Sequence, residues 1–180
     1  KNRSLKKKYA KKIPAKKLSK KQRDYDTANH TPPNYLQSYF DFPRNGKIVA
    51  IGDLHGDLQV TIKYLKLGGV IPMSTNHNMT EQEDLDKIEW IGGNTVVVQV
   101  GDQIDRCRPN NWYRDVCADD STYKDEGSDL KIMNLMDGLG EKAEKVGGKV
   151  ISILGNHEMM NCVGDFRYVS PKEFEEFGIY

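Results

Sequence analysis

The sequence predicts an α/β fold built on a parallel sheet, and three observations predict it: short apolar runs, helical patterns between them, and a glycine closing each run. The runs are residues 47–51, 95–100 and 149–154, rich in Val and Ile with little polar alternation, as strands buried on both faces read. The order strand, helix, strand, helix, strand calls for right-handed crossovers between parallel strands. At 180 residues the chain suits one domain with a real core.

Residues 1–23 carry 12 of the 27 Lys and Arg and no acid. Leu5, Tyr9, Ile13 and Leu18 are too scattered to build a core, so this arm is expected to be disordered unless bound. Residues 24–45, with Pro32, Pro33 and Pro43 among Tyr35, Tyr39 and Phe40, read as an extended connector. The domain proper is assigned to residues 46–180. After its first strand, Asp57 can cap a helix carrying Leu58, Ile62 and Leu65, ended by Gly68-Gly69. After the second strand comes a long polar segment, residues 107–127, read as a surface insertion in which Trp112, Tyr113 and Arg114 could select substrates. Ser128 or Asp129 then caps a helix with Ile132, Leu135, Met136, Leu139, Ala143 and Val146 on its apolar face, closed by Gly147-Gly148.

The formal net charge of +1 hides a division. Without the arm the chain holds 15 basic and 26 acidic residues, net −11, so an acidic body carries a basic arm. The arm has three readings: nonspecific nucleic-acid contact through phosphates, a nuclear address, or a solvated tail. Cys107, Cys117 and Cys162 lack paired spacing and are read as inert thiols in a reducing compartment, cytoplasmic or nuclear, with association with a nucleic-acid-containing particle as a further option; a Cys107–Cys117 bridge is the lesser reading. No apolar run is long enough for a membrane helix. A soluble protein is expected.

Each strand run ends in glycine followed by a metal-capable side chain: Gly52-Asp53, Gly101-Asp102 and Gly155-Asn156. Parallel strands put these residues along one sheet edge, where open α/β folds place their sites. The blocks Gly52-Asp53-Leu54-His55-Gly56, Gly101-Asp102-Gln103-Ile104-Asp105-Arg106 and Gly155-Asn156-His157-Glu158 supply carboxylate, imidazole, amide and guanidinium groups. Such a mixture suits borderline or hard divalent ions, with Asp102 the natural bridge between two of them.

In order and spacing these blocks resemble the GDxHG, GDxxDR and GNHE signatures of the phosphoprotein phosphatase branch of calcineurin-like metallophosphoesterases. Trp90 with Gly92-Gly93, Gly147-Gly148, Met159-Met160-Asn161 and the run from Gly164 to Val169 look like the bacterial-type, Shewanella-like subgroup. The resemblance implies a β-sandwich flanked by helices, of which this chain would supply the N-terminal β-α-β-α-β half. It implies two divalent ions, Mn²⁺ first and Fe or Zn as options. Asp53 and His55 would hold one ion, Asp102 would be shared, and Asn156 would serve the second ion and the substrate. His157 would protonate the leaving oxygen, Asp105 would orient that histidine, and Arg106 would clamp phosphate.

The implied reaction is hydrolysis of a phosphomonoester, on serine, threonine or tyrosine of a protein, by attack of a metal-bridging hydroxide without a phosphoenzyme. Cleavage of dinucleoside polyphosphates is the second reading, since the motifs see the phosphate and not its carrier. The third is a non-catalytic nucleic-acid-binding or structural protein that keeps the fold. Two features depart from the family pattern. The two downstream histidine ligands have no counterpart, His30 and His77 being read as loop residues, so the chain is taken as a piece of a longer protein whose remainder an active enzyme would need. Cys107 also stands where glycine commonly follows the arginine.

Overall fold

A computed structural model describes residues 45–108 and 125–178. The basic arm, nearly all of the connector, His30, Cys117 and the Trp112-Tyr113-Arg114 segment lie outside the described residues. Within them, strand β1 (Ile48–Ile51) leads to helix α1 (Leu58–Gly68), the short helix α2 (Gln82–Leu85) and strand β2 (Val96–Gln99). Helix α3 (Asp129–Glu144), strand β3 (Lys149–Ser152), helix α4 (Asn156–Cys162) and helix α5 (Pro171–Phe177) follow.

The strands form one parallel sheet in the order β1-β2-β3. Ile51 pairs in register with Gln99, and Gln99 with Ser152, so the three glycine-led loops leave the sheet side by side. Leu58, Ile62 and Leu65 of α1 and Ile132, Leu135, Met136 and Leu139 of α3 are buried against Ile51 and Val97. Each such side chain removed from water stabilises the fold by about 1.5–3 kcal/mol. Helix α3 also packs on β3, α2 and α5.

Asp57 caps α1 by accepting the Val60 N–H at 2.9 Å. Gly69, at φ 70°, closes it in the left-handed conformation that glycine tolerates best. Helix α3 is capped differently from the expectation, because Ser128 contributes no side-chain bond. Its first N–H groups, those of Asp129 and Leu130, donate instead to the Glu176 carboxylate, both at 3.1 Å. An acid from α5 thus meets the positive end of the α3 dipole.

Two expectations need correction. Only β2 is well buried, whereas β1 and β3 are largely open. Helices cover the face carrying Val49, Ile51, Val97 and Val150, while on the other face, over which the described residues place no helix, Ile48 is 57% exposed and Ile153 47%, and Val96 of the central strand is buried. Apolar runs without alternation therefore marked strands with two apolar faces, of which the described residues cover one. Val146 does not join the apolar face of α3 either. The helix stops at Glu144, two residues short of it, and Val146 is exposed in the turn that leads to Gly147.

Candidate metal centre and active site

Side chains reach the sheet edge because the loops after the strands adopt backbone shapes that sheets and helices do not. Four described non-glycine residues have positive φ, and three belong to the motif loops: His55 (46°), Asp102 (56°) and Asp105 (71°). Left-handed backbone costs a non-glycine residue on the order of 1 kcal/mol and persists where surrounding contacts over-determine it. Those contacts are present. The Asp102 carbonyl accepts the N–H groups of Leu54 and His55 at 2.9 and 3.0 Å, and the Gln103 carbonyl accepts that of Gly56 at 2.8 Å.

Buried Gln99 joins the same loops from below. Its amide donates to the carbonyls of Gly101 and Gly52 at 2.6 and 3.3 Å, and its oxygen accepts the Gly101 N–H at 3.0 Å. Gly101 is required for two reasons: its φ is 97°, and a Cβ there would overlap the Gly155 backbone.

Glu158, from the first turn of α4, ties the second loop to the third. Its carboxylate accepts the N–H groups of Asp102 at 2.8 Å and of Gln103 and Gly155, both at 2.7 Å. Burial works to raise this carboxyl, but those three N–H donors outweigh it and hold Glu158 below its ordinary value. The sequence could not separate this role from that of a helix-start acid. Glutamate three residues after a glycine N-cap was the available signal.

His55, Asp102 and His157 bring their ligand atoms within 4.8 Å of one another. The His55 Nδ1–H donates to the Ile104 carbonyl at 3.0 Å, leaving Nε2 with its lone pair. Burial lowers the pKa of this ring, and the charge of Arg108 adds to the effect against the Ile104 bond. His157 Nδ1 lies 2.7 Å from Asp105 Oδ2, which makes it the protonated nitrogen and likewise leaves Nε2 for the site. One Asp102 oxygen accepts the His157 N–H at 2.9 Å. The Asp53 carboxylate is exposed, 3.7 Å from His55 Nε2, and Asn156 is exposed at the start of α4. The His55 Nε2 lone pair beside the Asp53 and Asp102 carboxylates, its ring set by a carbonyl, fits a borderline divalent cation, while the His157 Nε2, its ring set by a carboxylate, is left to carry a proton.

Asp105 is fully buried, and every part of it is held. Its second oxygen accepts from the Asn161 amide at 2.9 Å, and its N–H donates to Glu173 at 2.7 Å. The His157 ring lies edge-on to those of His55 and Tyr168, with centroids 4.7 and 4.8 Å away. Arg106 pairs with Asp57 Oδ2 at 3.2 Å and reaches the His55 carbonyl at 3.4 Å, so the cap of α1 also anchors the arginine. The roles of Asn161, Glu173 and this second use of Asp57 escaped the sequence reading because all three act across 40 or more residues, and that of Tyr168 because no spacing marks one ring set against another. His77 lies in a loop, as expected.

Cys107 corrects a further expectation. It is buried and disulfide-bonded, not an inert thiol, and its partner lies outside the described residues; Cys162 is free. The physical reason is local. A cysteine immediately after Arg106, with its N–H fixed at 3.0 Å to the Tyr168 carbonyl, sits at the foot of the long segment that follows it, and unpaired CxxC spacing says nothing against a bridge across such a segment. No helix among the described residues is long and apolar enough to cross a membrane.

Several known proteins are similar to this chain. The family model for calcineurin-like phosphoesterases matches residues 46–179. Shewanella-like protein phosphatase 2 of Arabidopsis thaliana is 39% identical over 145 residues, 81% of this chain and 28% of that protein. Shewanella-like protein phosphatase 1 of Plasmodium berghei (strain Anka) is 34% identical over 144 residues, 80% of this chain and 31% of that protein. The cold-active protein-tyrosine phosphatase of a psychrophilic Shewanella species is 26% identical, with a TM-score of 0.47 over 73% of this chain and 30% of that one. The chain thus spans under a third of the length of the curated relatives just described. A family model that takes in all three glycine-led loops leaves one conclusion: this chain belongs to the calcineurin-like phosphoesterases.

Proposed function

We propose that this chain supplies the catalytic loops of a metal-dependent phosphatase that hydrolyses phosphomonoesters on protein side chains. The observation that carries the reading is the pairing of buried Asp105 with part-buried His157, 2.7 Å apart, set beside the ligand atoms of His55 and Asp102. In this reading Asp53 and His55 hold one divalent ion, Asp102 is shared, and Asn156 belongs to the second; Mn²⁺ is the first candidate. Bound there, such ions would supply an acidified water as nucleophile and a clamp for the phosphoryl oxygens.

The chain's own residues do the rest. His157 protonates the leaving oxygen through Nε2, while Asp105 fixes the ring and stabilises its charged form. Arg106, anchored by Asp57, meets the phosphoryl oxygens with a planar fork of donors and offsets charge that grows in the transition state. Neither step needs a serine or cysteine nucleophile, and the three blocks contain none. A protein substrate is favoured by the two curated relatives, both named protein phosphatases.

The test uses the complete gene product with Mn²⁺ and p-nitrophenyl phosphate, comparing wild type with Asp102→Asn. Loss of turnover by at least about 100-fold is expected when a shared ligand is neutralised. Equal turnover would end this mechanism. Rates on a phosphopeptide and on diadenosine tetraphosphate, measured side by side, decide the substrate class.

A further inference from the structure

Beneath the Arg106 loop lies a pair of carboxyl groups with unequal surroundings. Asp129, the first residue of α3, is 0% exposed, and among the described residues no N–H or O–H reaches either side-chain oxygen. What the carboxyl does meet is another carboxyl, that of Glu173, and the Gly56 backbone, where an added Cβ would lie 3.0 Å from both oxygens. Glu173 is well supplied. Its Oε1 accepts the Asp105 N–H at 2.7 Å, and its Oε2 accepts those of Arg106 at 3.2 Å and Ser170 at 2.6 Å.

Two buried carboxylates in contact cannot both keep their charge. The one with three N–H donors is the better anion, and the one with none is the better acid. We propose that Asp129 is a neutral carboxylic acid donating its O–H to the Glu173 carboxylate, and that this pair is the positioning device for Asp105 and Arg106. The proton-sharing half of the proposal stands on geometry; the positioning half rests on the phosphatase reading above.

The wider surroundings agree. Glu173 and Glu176 face Asp129 from α5, and Asp125 faces it from the preceding loop. Basic groups act on its neighbours: Lys131 on Glu176, Arg106 on Asp57 and Glu126, and Lys172 on the Asp125 carbonyl at 2.6 Å. Burial first, and then the charges of Glu173, Glu176 and Asp125, push the Asp129 carboxyl up to about 9. Burial raises Glu173 as well, against the N–H groups of Ser170, Asp105 and Arg106.

The decisive variants, made in the complete gene product, are Asp129→Asn and Glu173→Gln. Asparagine can donate to Glu173 as the neutral acid does, so kcat/KM should stay within about threefold of wild type. Glutamine offers one acceptor oxygen in place of two, and kcat/KM should fall by about 10- to 100-fold, as for other groups that orient ligands from behind. Inorganic phosphate affinity on the Mn²⁺-loaded protein should divide the two variants in the same direction without turnover.

Thermal unfolding without added metal reads the proton directly. The native state keeps a proton that the unfolded chain releases above about pH 4. Wild-type stability therefore declines as pH rises toward 9, whereas the asparagine side chain of the variant has no proton to lose. The Tm of Asp129→Asn minus that of wild type should rise from pH 6 to pH 9. A pH-independent difference overturns the shared proton, whatever the reaction is. An Asp129→Asn protein as impaired as Glu173→Gln in turnover and phosphate binding overturns the positioning role, and points to an ionised carboxylate holding a cation.

Discussion

Replacing Glu158 by glutamine keeps the size of the side chain and removes its charge. In the structure Oε2 accepts from Asp102 and Gly155, and Oε1 from Gln103, all between 2.7 and 2.8 Å. In its best orientation glutamine keeps the first two bonds as neutral ones and turns an N–H donor toward the Gln103 N–H. Hydrogen bonds to a charged acceptor contribute about 1.5–3 kcal/mol and neutral ones about 0.5–1.5, so two weakened bonds and one lost bond sum to about 3.5–6 kcal/mol. Glu158 is only partly buried, so water can reach the orphaned donor, and the expected cost falls to about 2–4 kcal/mol. Urea unfolding of the complete gene product with unchanged m-value should show it as a lower midpoint. Phosphatase turnover should drop by about 10- to 100-fold, because the loop carrying Asp102 loses its tie to the loop carrying His157. A midpoint shift worth less than about 0.5 kcal/mol, with turnover intact, would refute the idea that this carboxylate assembles the site.

Three other substitutions probe separate links. Asn161→Ala removes the amide that holds the second Asp105 oxygen; kcat should fall by about tenfold in steady-state assays, and the unfolding midpoint should drop by an amount worth about 1–3 kcal/mol because a buried acceptor is left unpaired. Gly101→Ala puts a Cβ into the Gly155 backbone at a φ of 97°, and should destabilise by more than about 2 kcal/mol and weaken Mn²⁺ binding in calorimetry. Leu139→Ala, in the core face of α3, should cost about 2–5 kcal/mol in denaturant titration and leave kcat of the folded fraction unchanged.

Much of this fold was legible from the sequence because its signals are local. The Val- and Ile-rich runs gave the strands to within two residues at either end, and Asp57 and Gly69 bounded α1 as their cap chemistry requires. The glycine-led blocks marked where the chain leaves the sheet, since sharp turns at strand ends need residues that tolerate unusual backbone. Three failures share one cause. Glu176 capping α3, Glu173 under Asp105, and Asn161 on the far side of Asp105 are contacts between residues at least 46 positions apart. No periodicity or spacing records such a contact. The bare sheet face was misread because an apolar run reports what a strand can bury and not what covers it. The Cys107 bond could not be chosen from three cysteines of unhelpful spacing.

The left-handed turns at His55, Asp102 and Asp105 set durability against chemistry. Glycine would rest more comfortably at each of these angles, relieving on the order of 1 kcal/mol of torsional penalty. A search that rewarded heat resistance alone would therefore tend to erase the imidazole and the two carboxylates, yielding a hardier protein without the groups proposed to perform hydrolysis. Ancestral or consensus redesign of this chain should hold those three positions fixed and look for stability elsewhere.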